Sequence, residues 1–164
     1  MIDQNIINSM KKECLQEYPM PYFSGLKEEM TDLLEQLKED YKDVSFHFFL
    51  DYGYAILLSL VNREITALGY LTQLGIFHDN IFNHFNLSSD LMEPFRVLVD
   101  RWIVAHSFKD FSQLEKHKMV ELLQSEVIIN GTKRVFTDAV GLYVQSVFKA
   151  LEEADISLIC FYEK

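Results

Sequence analysis

The chain has 164 residues, enough for one domain with a sizeable core. About half of the residues are apolar (49%) and 13% are aromatic, which excludes a disordered tail. The formal net charge is −10, from 15 basic against 25 acidic residues, so the average field repels nucleic acid and any grip on phosphates has to be local.

Residues 1–45 carry five Lys and ten Asp or Glu and read as an acidic helical segment, distinct from a second unit over 46–164. Within the segment, Ile6, Ile7, Met10 and Leu15 mark a first helix over 4–17, which Pro19 and Pro21 end. Leu26, Met30, Leu33, Leu34 and Leu37 recur at spacings of three and four and predict a charged amphipathic helix from Leu26 to Tyr41. From Phe46 to Gly69 the chain is apolar on nearly all sides until Asn62, so other helices should surround this long helix. Its longest apolar run, Ala55 to Val61, is too short to span a membrane.

Gly69 to Asn86 is irregular and rich in Asn, His and Phe. Ser88 or Ser89 is the expected cap of a helix running to about His106, with Asp90 in its first turn at the positive end of the dipole and Pro94 early in its course. Ser112-x-x-Glu115 is a capping box that opens a further helix to about Gln124. Two β-prone runs between Glu126 and Phe136 flank Asn130-Gly131, the strongest short hairpin signal. Thr137 is the expected cap of the last helix, to about Ala154, and the apolar tail Ile156–Phe161 should pack back on the body. The predicted fold is mainly α, a multi-helix domain with one small hairpin near 126–136.

Cys14 and Cys160 show no metal spacing and read as free thiols in a reducing cytoplasm. Lys11 and Lys12 come after the weakly apolar opening instead of preceding an apolar block, which is not a signal-peptide layout. Trp102, Tyr52 and Tyr54 read as core or helix-contact residues, and His84 as structural.

Asp90 and Glu93, three apart on a helix, project from one face, and His78 lies in the irregular segment that leads into it. One imidazole and two carboxylates make half of a divalent-metal site. Oxygen-rich sites suit Mg²⁺ or Mn²⁺, and the imidazole tilts the choice toward Mn²⁺. The same residues also read as a solvated acidic face with Asp90 serving the helix N-terminus, beside a partly buried loop His.

Longer blocks carry a resemblance. Leu50-Asp-Tyr-Gly-Tyr-Ala-Ile-Leu-Leu, Asn62-Arg-Glu-Ile, Leu71-Thr-Gln-Leu-Gly-Ile-Phe-His78, Phe82-Asn-His-Phe-Asn-Leu-Ser-Ser-Asp90-Leu-Met-Glu-Pro-Phe-Arg96 and Asp100-Arg101 succeed one another over residues 50–164, with the Asn-Gly hairpin and a Tyr-containing helix after them. This stretch resembles the C-terminal helical domain of the type II CRISPR spacer-acquisition integrases. The resemblance implies a metal, Mg²⁺ or Mn²⁺, held by a Glu from an earlier helix, by His78 and by Glu93, with Asp90 as an additional acid beside the site. It places Arg96 near DNA, with Arg63 and Arg101 as further basic residues of the matched blocks. It implies integration of short DNA into a CRISPR repeat by attack of DNA 3′ ends on phosphodiesters. The partners implied are full-length integrase and its small companion adaptation protein, in an oligomer.

Three departures limit the carry-over. The family's N-terminal β-rich domain has no counterpart in this sequence. The motif of the first ligand is also missing. Tyr22-Phe23-Ser24 faintly echoes the Tyr-Phe-Asn found just after that motif in the family, which puts Leu15 in the Glu position, flanked by Glu13 and Glu17 as substitutes. Finally, His47-Phe48-Phe49 replaces small residues before Leu50, which implies a different packing neighbour. Two readings stand side by side: a shortened integrase or endonuclease domain with an incomplete centre, or a non-catalytic mimic that docks on the CRISPR adaptation or interference machinery and inhibits it, of the anti-CRISPR type.

Overall fold

The computed structural model describes residues 45–106 and 111–163. The helices expected over 4–17 and 26–41, with Cys14, Glu13 and Glu17, lie outside the described residues. Among the described residues no helix is long and apolar enough to cross a membrane.

The organising element is α1 (Ser45–Ala67), which packs against three other helices. Phe49, Leu57, Leu60, Val61 and Ile65 are its buried apolar side chains. Each fully buried side chain of this size contributes about 1.5–3 kcal/mol of transfer free energy. The helices around it are α2 (Asn86–Met92), α3 (Arg96–His106) and α5 (Phe136–Glu153). A further helix, α4 (Gln113–Glu121), runs into a short 3₁₀ turn at Leu122–Gln124.

Gly53 is where α1 comes closest to its neighbours. A Cβ there would stand 2.5 Å from Val99 Cγ1 and 2.8 Å from Met119 Cε. Met119 can swing away, but Val99 is β-branched and sits on a helix. Gly53→Ala is expected to lower stability by about 1–3 kcal/mol through overpacking, read as the shift in a urea unfolding midpoint.

Ser112 caps α4 as expected, since its Oγ accepts from the Glu115 amide at 3.4 Å. The hairpin holds as well. Strands β1 (Glu126–Ile129) and β2 (Thr132–Val135) pair antiparallel, with Ile129 opposite Thr132. Asn130 (φ 51°) and Gly131 (φ 65°) supply the two left-handed residues that a type I′ turn requires. The tail packs back, as expected, and also forms a strand: β3 (Tyr162–Glu163) pairs with β1 to give the order β2-β1-β3. Tyr162 closes over the core beside Phe95, ring centroids 5.5 Å apart.

Two helix starts differ from expectation. The helix assigned to a Ser88 or Ser89 cap begins at Asn86, with Phe85 in the cap position and no side-chain cap bond. Ser88 is fully buried inside it and donates to Asn62 Oδ1 at 3.1 Å, so a tertiary contact has taken the hydroxyl that a cap would use. That helix is not continuous to His106 either. A 3₁₀ turn at Glu93–Phe95 interrupts it, with Pro94 in the turn where its missing N–H breaks the α ladder. Thr137 does not cap α5. Val135 occupies that position, and the Phe136 amide donates to Ser125 O at 2.7 Å.

Phe48 and Phe49 both pack against Phe111. Its ring centroid lies 5.7 Å and 5.1 Å from theirs and 5.7 Å from Tyr52. Trp102 is half-buried, donates from Nε1 to Lys118 O at 3.2 Å and stacks on His106, so it ties α3 to α4 as much as it fills the core.

Candidate active site

The site is built around the irregular stretch between α1 and α2. Asn and Thr side chains fold it through local bonds. Asn80 Oδ1 accepts from the Phe82 amide at 3.0 Å and Asn83 Oδ1 from the Phe85 amide at 2.9 Å, both Asx turns. Thr72 Oγ1 donates to His84 O at 2.8 Å, and the buried Asn86 amide donates to Gln73 O and Asn80 O at 3.0 and 2.9 Å.

Asp90 closes the arrangement from α2. Its side chain is 2% exposed. Oδ2 accepts from the backbone N–H groups of Ile76 and Phe77 at 2.5 and 2.9 Å, and Oδ1 accepts from that of His78 at 3.1 Å. Oδ1 also meets His78 Nδ1 at 2.5 Å. The expected dipole partner of the helix N-terminus is thus a latch that holds three successive loop amides and one imidazole. Gly75 makes room for it: a Cβ there would collide with the His78 carbonyl and stand 2.9 Å from Asp90 Oδ2.

The latch has a consequence for His78. With Asp90 ionised, Nδ1 carries the proton and donates it to the carboxylate, which leaves Nε2 as the basic nitrogen. Nε2 has no hydrogen-bond partner among the described residues, and the side chain is 48% exposed. A carboxylate behind an imidazole is the arrangement that orients metal-ligating His side chains.

Glu93 stands one turn after Asp90, half-exposed, in the 3₁₀ turn. Its Oε1 pairs with Arg96 at 2.9 Å. Arg96 in turn lies over the Tyr54 ring, 4.4 Å from its centroid, and Tyr54 donates its hydroxyl to Asp100 Oδ1 at 2.7 Å. Burial pushes the Tyr54 phenol up, and the Asp100 carboxylate adds to this. Burial also raises Asp100, against the opposing pull of the Tyr54 hydroxyl and Arg96. Sequence reasoning had Tyr54 as a packing residue and missed the polar chain Glu93–Arg96–Tyr54–Asp100. The four-residue spacing of Arg96 and Asp100 on one helix face was the available signal.

The structure therefore brings His78 and Asp90 into direct contact and leaves Glu93 next to them in sequence but paired with Arg96. Arg63 is closed on Glu64 at 2.7 Å. Arg101 lies half-buried on α3. The donor chemistry of His78 and Glu93 suits Mg²⁺ or Mn²⁺, but among the described residues no group of three His, Cys, Asp or Glu side chains could hold an ion. A complete site needs a further ligand. The substitutes that the sequence offers, Glu13 and Glu17, are outside the described residues.

Comparison with known proteins gives the family. The family model for CRISPR associated protein Cas1 matches residues 41–134, more than half of the chain and the whole stretch from His78 to Arg96. The chain belongs to the Cas1 family. The CRISPR-associated endonuclease Cas1 of Neisseria meningitidis serogroup C (strain 8013) is 44% identical over 55 residues, which are 34% of this chain and 18% of that protein. A casposase bound to integration product shares the fold with a TM-score of 0.53 at 21% identity, over 64% of this chain and 37% of its own. This Cas1-family chain thus corresponds to well under half the length of either relative.

Proposed function

We propose that this chain acts in CRISPR spacer acquisition as a shortened, metal-dependent DNA integrase or endonuclease domain. In this reading His78 and Glu93 are ligands of Mg²⁺ or Mn²⁺, and Asp90 aims His78. The observation that supports it is the Asp90 latch: within the stretch matched by the family, one buried carboxylate fixes the loop backbone and the imidazole together. Such an ion, when bound, polarises a phosphodiester and activates a water or 3′-hydroxyl. The chain's own part would be to present Nε2 of His78 and the Glu93 carboxylate to the ion, with Arg96 as the nearby cation for phosphate. The DNA, the full-length integrase and its small companion protein are the proposed partners, and Glu13 or Glu17 the proposed further ligand.

Calorimetric titration with Mn²⁺ tests the reading. Affinity is expected to fall about tenfold or more in His78→Ala and in Glu93→Ala. Equal heats in the wild-type chain and both variants would remove the metal site, whatever the strand-transfer activity.

A second reading is favoured by charge. The chain carries −10 overall, and two of the three candidate DNA-contacting arginines, Arg63 and Arg96, are each closed on a carboxylate. A non-catalytic mimic would bind the integrase complex and suppress strand transfer by its partner. Adding the chain to an active Cas1 complex separates the two readings: stimulation or independent turnover supports the first, dose-dependent inhibition the second.

A further inference from the structure

Arg96 sits between two carboxylates of its own stretch of chain. Glu93, three residues before it, accepts from Nη1 at 2.9 Å. Asp100 follows four residues later, one turn further along α3. Residues three and four apart on a helix are neighbours on its surface, so one arginine is within reach of both acids. Only the first of them is paired with it.

Two orphaned atoms of opposite kind mark the other side. Among the described residues, Arg96 Nε and Asp100 Oδ2 are buried and have no hydrogen-bond partner. The first is a donor and the second an acceptor, and a buried polar atom left unpaired costs its desolvation in full. Tyr54 connects the two positions. Its ring lies against the guanidinium, 4.4 Å from centroid to Cζ, and its hydroxyl donates to Asp100 Oδ1 at 2.7 Å, which leaves Oδ2 open. An aromatic face attracts a guanidinium without fixing one hydrogen-bond partner, so it supports a sideways movement. The two acids also differ in exposure. The Glu93 side chain is 46% exposed and reaches solvent, whereas Asp100 is sealed in at 1%. A partly exposed ion pair is weakly held.

We propose that Arg96 has two seats, the observed one on Glu93 and a second on Asp100, and that taking the second frees Glu93 for a cation. In the second seat Arg96 Nε donates to Asp100 Oδ2, so each orphan gains the other as its partner. Nη1, released from Glu93, is left for a phosphate. Asp100 is then a positioning residue that acts on the site through Arg96. The freeing of Glu93 rests on the metal-binding reading of the site; the second seat does not.

The Arg96 Nε–H resonance reads the seat with no metal present. Glu93→Ala removes the first seat, so this proton should shift downfield and exchange more slowly with water. Adding Asp100→Asn should abolish both changes. Calorimetry with Mn²⁺ reads the coupling to the site. Asp100→Asn should weaken binding roughly three- to fivefold, the worth of a partly exposed ion pair. In an Arg96→Gln background the same substitution should change nothing, a pattern that a merely structural role of Asp100 would not give. An Arg96 proton indifferent to Glu93→Ala, or one that shifts alike with and without the Asp100 carboxylate, overturns the second seat. An equal loss of affinity with and without Arg96 overturns the positioning role. A wild-type chain silent toward Mn²⁺ overturns the metal reading and with it the freeing of Glu93, while the resonance still decides whether Arg96 has one seat or two.

Discussion

Asp90→Ala is expected to release the segment that carries His78 and to lower the stability of the domain by about 3 kcal/mol or more. The carboxylate is a single acceptor for three backbone amides and one imidazole, all charge-assisted bonds. Hydrogen bonds to a charged group are worth about 1.5–3 kcal/mol each, and bonds sharing one acceptor do not add fully. Water recovers part of the loss, because His78 and Phe77 are exposed, so the total stays well below the simple sum. Asp90→Asn is not a mild substitute. Its amide nitrogen would face backbone donors, and one of the two oxygens' sets of bonds must break. The decisive readout is local. Hydrogen exchange at the amides of Ile76, Phe77 and His78 should rise sharply in both variants, while amides in the middle of α5 change only with global stability. The ¹⁵N shifts of the His78 ring should move from the Nδ1–H tautomer toward a mixture. Unchanged protection at these three amides would show that the latch is not what holds the loop.

The contrast between Asp90 and the long helices explains how much of this fold the sequence discloses. In α5, buried Phe136, Ala139, Val140, Tyr143, Val144, Val147 and Leu151 repeat at the spacing of a helix face, so a local pattern reports a global environment. The same is true of α1 and of Asn130-Gly131, whose left-handed turn is a property of two residues. Starts and breaks are different. Ser88 has the chemistry of a cap, but Asn62, 26 residues away, claims its hydroxyl. The two-residue strand β3 has no pattern long enough to read, and exists only because β1 offers a free edge.

The candidate site was half legible. His78, Asp90 and Glu93 stood out by residue type and spacing, and the resemblance to the spacer-acquisition integrases set them in one site. Their division of labour did not stand out. An acid in the first turn of a helix reads as a dipole partner, and only the path of the loop turns Asp90 into an acceptor for amides 12 to 14 residues back. Leu71, Leu74, Ile81 and Phe82 would pass for core residues by composition alone. They are exposed because the loop's backbone bonds, which depend on Thr72, Asn80, Asn83 and Asn86, fix where those side chains point.

Asp100 should make the domain more stable as the solution is acidified from neutrality, against the usual trend for a carboxylate. It is 1% exposed, Oδ1 accepts from Tyr54, and Oδ2 has no partner among the described residues. Burial raises its pKa, so the folded chain holds this proton more tightly than the unfolded chain, whose Asp titrates near 3.9. Between those two values the native state binds more protons, and stability falls as pH rises. The contribution is therefore complete below the unfolded value and is lost as pH rises through the folded one. Asp100→Asn removes this titration, keeps an acceptor for Tyr54 and replaces the partnerless oxygen with an amide nitrogen. At neutral pH its stability should lie within about 1 kcal/mol of the wild type, since a buried charge is lost together with its attraction to Arg96. Asp100→Ala instead strands the Tyr54 hydroxyl, held half-buried under Arg96, and should cost about 1–3 kcal/mol. The test is the difference in unfolding free energy between the wild type and Asp100→Asn, measured from neutral pH down to about 4. That difference should shift in favour of the wild type on acidification; a flat difference, or one of opposite sign, would mean that Asp100 is held ionised by Arg96 and Tyr54 more strongly than burial opposes it.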